Sequence, residues 1–166
     1  GQKFGCGLKD AGHAGGVLGR QSRDGAQGKH AVGGHGLDIC LNAGTTTINI
    51  KDNAHIVSAT GGKYGGAGIG SGSYSGSTPD SKKGAVTINI TDGTIEKAEG
   101  KNGGAGIGSG YYGRSSTVNI SGNAELKDVK GGNLAAGIGS GYDSDKVDVV
   151  IDGGTINATG GDSAAG

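Results

Sequence analysis

The residues best equipped for chemistry are tyrosines, and they follow a repeated stretch. AGIGSG occurs at residues 67–72, 105–110 and 136–141, and is followed within two residues by Tyr74, by Tyr111 and Tyr112, and by Tyr142. A phenol ring offers a flat apolar face with a polar rim. Rings in a row can therefore stack on sugar rings, while a neighbouring carboxylate such as Asp143 accepts bonds from sugar hydroxyls. The ligand-binding set read from the sequence is Tyr74, Tyr111, Tyr112, Tyr142 and Asp143. A competing reading has the same rings folded over a glycine corner, covering its backbone.

Other chemistries are weaker. Asp143, Asp145 and Arg114 lie near the tyrosines, as a polysaccharide-cleaving site would require, but no carboxylate pair recurs in register as an acid and base should. The expectation is a protein without catalytic residues. Glycine runs also cradle phosphate, yet no G-x-x-x-x-G-K-[ST] run is present and no helix follows AGIGSG to lend its N-terminus. Cys6, Cys40, His13, His30 and His35 lack the C-x-x-C or H-x-x-x-H spacing of a zinc site, so neither metal nor cofactor is expected. For Cys6 and Cys40, a disulfide pinning the N-terminal segment and a pair of free buried thiols both remain open.

The elements that position the tyrosines are repeats. Ile69 and Ile107 are 38 residues apart, and Ile107 and Ile138 are 31. A period in this range means one structural unit laid on the next. A second block keeps step: TTTINI ends at Ile50, VTINI at Ile90, STVNI at Ile120 and VDVVI at Ile151. Within it, Ile48 and Ile50 alternate with Thr47 and Asn49, the period of a half-buried strand. Between the blocks, KDNAHIVSATGG turns at Asp52 and Asn53 and continues extended, with Val57 and Ala59 directed inward.

Composition agrees. Glycine supplies 41 of 166 residues, aromatics 4%, and Met and Trp are absent; helices are disfavoured almost throughout. Regularly spaced Val, Ile and Thr argue against disorder. Fifteen basic residues balance fifteen acidic ones, so nothing points to capture of nucleic acid. No stretch approaches the roughly 18 apolar residues of a membrane-spanning helix, and membrane insertion is not expected. The chain begins at Gly1 without an initiator Met, as a mature or excised piece would.

The expected fold is all-β: a parallel, right-handed β-helix with three short strands per coil and about four coils. Ile50, Ile90, Ile120 and Ile151 form one inward column, and Ile69, Ile107 and Ile138 another. Each buried Ile contributes about 1.5–3 kcal/mol. Residues 1–37 read as an irregular N-terminal cap, in which AGGVLGR at 14–20 resembles a degenerate glycine block. Residues 38–166 carry the repeats, interrupted at about 73–85 by a loop holding Pro79, Lys82 and Lys83. A calcium-binding β-roll lacks support, because GGxGxDxUx is absent. Outward, Asn49, Asn89 and Asn119 should form a ladder beside Thr47, Thr87 and Thr117. An ice-binding surface would need such an array, but this one is short and broken by Lys51, Asp148 and Asp152.

The repeat (strand, DGGTINATGG, GAGIGSG) resembles the glycine-rich β-helix repeats of secreted or cell-wall-anchored bacterial adhesin-like and carbohydrate-binding proteins. The resemblance covers residues 38–166 and implies an extracellular or cell-surface module with a glycan or a surface protein as its partner. A purely structural stalk or fibre unit is the alternative. The sequence stops inside a repeat, at DSAAG, so an unpaired last strand would invite end-to-end self-association or require a cap.

Overall fold

A computed structural model describes residues 18–21, 45–73 and 85–166 of the chain. Every regular element is a strand: β1 (Leu18–Gln21), β2 (Thr46–Ile50), β3 (His55–Ile56), β4 (Ala59–Thr60), β5 (Ile69–Gly70), β6 (Val86–Ile95), β7 (Ala98–Glu99), β8 (Ile107–Gly108), β9 (Ser116–Lys130), β10 (Ile138–Gly139) and β11 (Val147–Thr159). All pairings but one are parallel, between segments about one repeat apart, so the chain winds as a solenoid of stacked coils.

Three walls enclose the core. The first is β2, the start of β6, the start of β9 and the start of β11, with Ile50, Ile90, Ile120 and Ile151 in register. The second comprises β3 and β4, then the end of β6 with β7, and the remainders of β9 and β11. The third is β5, β8 and β10, one dipeptide from each AGIGSG.

The first wall follows from alternation: TTINI buries Thr46, Ile48 and Ile50 and leaves Thr47 and Asn49 half-exposed. The second wall steps differently. Ile56 is buried and Val57 is 67% exposed, which corrects the inward placement of Val57. A bend at Val57 separates β3 from β4, so the inward residues are Ile56 and Ala59, stacked on Ile95 and Ala98 and then on Leu126 and Val129. Each β-branched or leucine side chain so enclosed meets a like neighbour above and below, burying what a single coil could not.

The third wall is not extended. In each AGIGSG the Ala amide donates to the Ser carbonyl four residues on: Ala67 to Ser71 at 3.1 Å, Ala105 to Ser109 at 2.9 Å, Ala136 to Ser140 at 3.0 Å. The stretch is thus a tight arc. Its second turn-forming glycine has φ of 142°, 135° and 133° at Gly70, Gly108 and Gly139, a conformation that only glycine adopts without strain. A Cβ on Gly108 would sit 2.1 Å from the Gly139 carbonyl oxygen.

Ile50, Ile69, Ile90, Ile107 and Ile120 are fully enclosed, and Ile138 is partly so. Ile151 departs from the expected core: it keeps its place in the column but is 54% exposed. Among the described residues no strand covers the far edge of β11, so the apolar end of the column stands open. At the other end, β1 lies antiparallel on β2. Leu18–Gln21 therefore joins the first wall. The rest of the expected N-terminal cap, Cys6 and Cys40, Tyr74 and most of the 73–85 loop lie outside the described residues.

Candidate functional site

The arc after Ile107 hands the chain to a two-residue turn, Tyr111–Tyr112, and the arc after Ile138 to the turn Tyr142–Asp143. Counted from the glycine that ends each AGIGSG, Tyr111 and Tyr142 share one offset, Tyr112 and Asp143 the next. Tyr74 takes the offset of Tyr112, and Ser73 that of Tyr111. Tyr112 and Asp143 both adopt left-handed backbone, with φ of 49° and 48°. The tyrosines therefore do not form one uniform row: the first offset reads Ser73, Tyr111, Tyr142 and the second Tyr74, Tyr112, Asp143.

The pair is stacked. The rings of Tyr111 and Tyr142 are 5.3 Å apart and 14° from parallel, and Tyr112 sets its edge against both, at 4.4 and 6.1 Å. Equivalent backbone bonds hold the two: the Tyr111 amide donates to the Gly65 carbonyl and the Tyr142 amide to that of Gly103, each at 2.7 Å. Glycine leaves room for the ring there, because a Cβ on Gly103 would meet Cδ2 of Tyr111 at 2.5 Å. Tyr111 thus covers glycine backbone, while Tyr142, at the end of the stack, is 40% exposed and Asp143 beside it is exposed. The side-chain hydrogen bond with Tyr111 is the first cause holding the Tyr112 phenol above its ordinary pKa.

Under the turn lies a polar seam that the sequence reading missed. Ser109 Oγ donates to the Arg114 carbonyl at 2.7 Å and lies 2.7 Å from Ser116 Oγ, and the Gly110 amide donates to Ser71 Oγ at 3.0 Å. The serine inside each AGIGSG was the available signal. Arg114 is 8% exposed, and burial holds its guanidinium below its ordinary pKa. Asp145 fixes its turn by donating its amide to the Gly113 carbonyl at 3.0 Å. Arg114 is thus buried beneath the turn, whereas Asp143 lies exposed on it.

Three further surface features lie elsewhere on the solenoid. The asparagine ladder is continuous, Asn119 donating to Asn89 at 2.9 Å and Asn89 to Asn49 at 2.8 Å; Val150 takes the next rung. On the second wall Glu96 accepts from His55 at 2.9 Å and Lys127 at 3.1 Å, and Glu99 pairs with Lys97 and Lys101. Tyr64, with Lys63 Nζ 4.7 Å from its ring centre, is 72% exposed. Among the described residues no cluster of three His, Cys, Asp or Glu side chains is arranged to hold a metal, and no helix is long and apolar enough to cross a membrane.

Parallel walls, in-register columns and glycine arcs define a parallel β-helix solenoid, a structural or surface repeat module. A family model described as a beta helix repeat matches residues 48–73, 88–111 and 149–166, supporting a place among β-helix repeat proteins. The three matches begin at Ile48, Ile88 and Val149, residues of one structural column. No curated protein and no solved structure matches the chain.

Proposed function

We propose that the chain is a non-catalytic module displayed outside the cell, part of an adhesin-like or carbohydrate-binding protein, which binds glycan at the Tyr142 end of the aromatic corner. The observation carrying this reading is the half-open ring of Tyr142, seated on Tyr111 and flanked by Tyr112 and the exposed carboxylate of Asp143. A ring rigidified from behind loses little conformational entropy on stacking against a ligand. Asp143 supplies acceptors for the ligand's hydroxyls.

The test is a glycan array probed with the wild-type chain, Tyr142→Ala and Asp143→Ala. Binding that disappears in both variants, with circular dichroism unchanged, supports the reading; equal binding by all three removes the corner from consideration. A second reading, a purely structural stalk unit, draws on Tyr111, whose ring lies over Gly65 and Gly103. It predicts no glycan binding and a loss of thermal stability on Tyr111→Ala.

A further inference from the structure

Asn102 is the only asparagine in the chain that is followed by glycine; every other one precedes Ala, Ile or Leu. The pair is chemically distinct, because the amide nitrogen of the next residue can attack the side-chain carbonyl carbon, and glycine has no Cβ to stand in the way. The fold leaves the reacting groups accessible. Asn102 is exposed, in left-handed backbone with φ of 48°, and its turn is closed by the Gly104 amide, which donates to the Lys101 carbonyl at 2.9 Å. The Gly103 amide donates to no backbone carbonyl among the described residues. Asn49, Asn89 and Asn119 are instead held in their ladder, in front of isoleucines. Asn102 also lies within the stack, with Lys63 in the coil before it and Gly132 in the coil after it.

We propose that Asn102 is a site of spontaneous deamidation, and that its conversion separates the stacked rings of Tyr111 and Tyr142. The Gly103 nitrogen bonds to Cγ of Asn102, and Nδ2 leaves as ammonia, taking the proton that the Gly103 amide gives up. Water then adds across one of the two imide C–N bonds, giving aspartate or isoaspartate. No oxidant or further reactant enters.

Both products remove the donor that Asn102 Nδ2 offers to the Lys63 carbonyl. Isoaspartate does more. Its main chain runs through Cβ and Cγ, which lengthens the link to Gly103 by one atom and turns the former main-chain carbonyl into a carboxylate. The next coil leaves no space for either, since a Cβ on Gly132 would stand 1.9 Å from the Asn102 carbonyl oxygen. The displacement therefore falls on Gly103. Its carbonyl accepts the Tyr142 amide at 2.7 Å, and a Cβ there would meet Cδ2 of Tyr111 at 2.5 Å and Cβ of Tyr142 at 2.7 Å. The modification acts through this packing, whether or not a glycan binds at the corner.

Ageing the folded full chain in mildly alkaline buffer tests this, with peptide mass mapping, labelling by an isoaspartyl methyltransferase, and near-ultraviolet circular dichroism. The peptide holding residues 101–104 should be the first to gain the mass of one deamidation and the first to take methyl label. The tyrosine signal should change in proportion, and the rate should rise with pH as the amide proton becomes easier to remove. Asn102→Gln, whose longer side chain closes its ring far more slowly, should keep both its mass and its tyrosine signal. Gly103→Ala should suppress the mass gain by obstructing the amide, and it decides the chemistry if Asn102→Gln does not fold. Conversion of another asparagine first would overturn the proposal. So would a pair that stays intact in the folded chain while the same chain in urea converts, or conversion of Asn102 that leaves the tyrosine signal unchanged.

Discussion

Ile151 lies directly above Ile120 in the same inward column, yet it is 54% exposed where Ile120 is 1%. Identity and register are the same; only the cover differs. Burial in a solenoid is conferred by the coil on each side, so a side chain with a single neighbouring coil keeps much of its contact with water.

Ile120→Ala should therefore cost about 2–5 kcal/mol, the range for emptying a closed core site. Ile151→Ala should cost less than about 1 kcal/mol, as at an exposed position. Urea denaturation at concentrations where the chain is monomeric measures both, and equal losses would show that the column is closed over Ile151.

The asparagine ladder gives a graded series. Asn89→Ala removes the bonds to both Asn49 and Asn119, whereas Asn49→Ala removes one. At about 1 kcal/mol per bond the losses should stand near 2 and 1 kcal/mol, reduced where water reaches the half-exposed amides. Matching midpoints for the two variants would mean that the loss does not scale with the number of ladder bonds removed.

Two glycines should respond differently to the same methyl group. Gly108→Ala sets Cβ against backbone of the next coil in a φ of 135°, and neither can yield, so cooperative unfolding should be lost or weakened by several kcal/mol. Gly103→Ala meets Cδ2 of Tyr111, which ring rotation can move, and Cβ of Tyr142, which a small backbone shift can move. That variant should fold and change its near-ultraviolet circular dichroism as the stacked pair separates.

The second wall should set the pH range of stability. Hydrogen bonds from His55 and Lys127 hold the Glu96 carboxyl below its ordinary value of 4.5, and those from Lys101 and Lys97 do the same for Glu99. Groups lowered on folding stabilise above that value and lose the contribution as pH falls through the folded one. Lys97 and Lys127 are raised above 10.5 by Glu99 and Glu96, so their contribution is present below that pH and fades above it. Thermal melts should show a plateau between these limits, and Glu96→Gln with Glu99→Gln should flatten the acid side.

The columns were legible in the sequence because period-two alternation forbids any odd shift of TTINI, VTINI and STVNI that would turn isoleucine outward, and the shared ending of the blocks selects the aligned register among the rest. The bend at Val57 was not legible, since the step from Ile56 to Ala59 breaks that alternation without a Gly or Pro to announce it. The split of the tyrosines between two offsets was legible by counting from the glycine that ends each AGIGSG, whereas the stacking of Tyr142 on Tyr111 was not, since it depends on how the turns pack on the coils. The burial of Arg114 was hidden for a related reason: a charged residue is read as solvated unless the chain around it is known to fold over it.

The glycine arcs restrict where the chain can vary. On the first two walls a hydrogen-bonded ladder separates the coils and leaves the side chains between them free to differ, but between Gly70 and Gly108, and again between Gly108 and Gly139, backbone rests on backbone, with no room for even a methyl group. Those positions admit no residue but glycine, so sequence change along the stack is confined to the other two walls and to the turns.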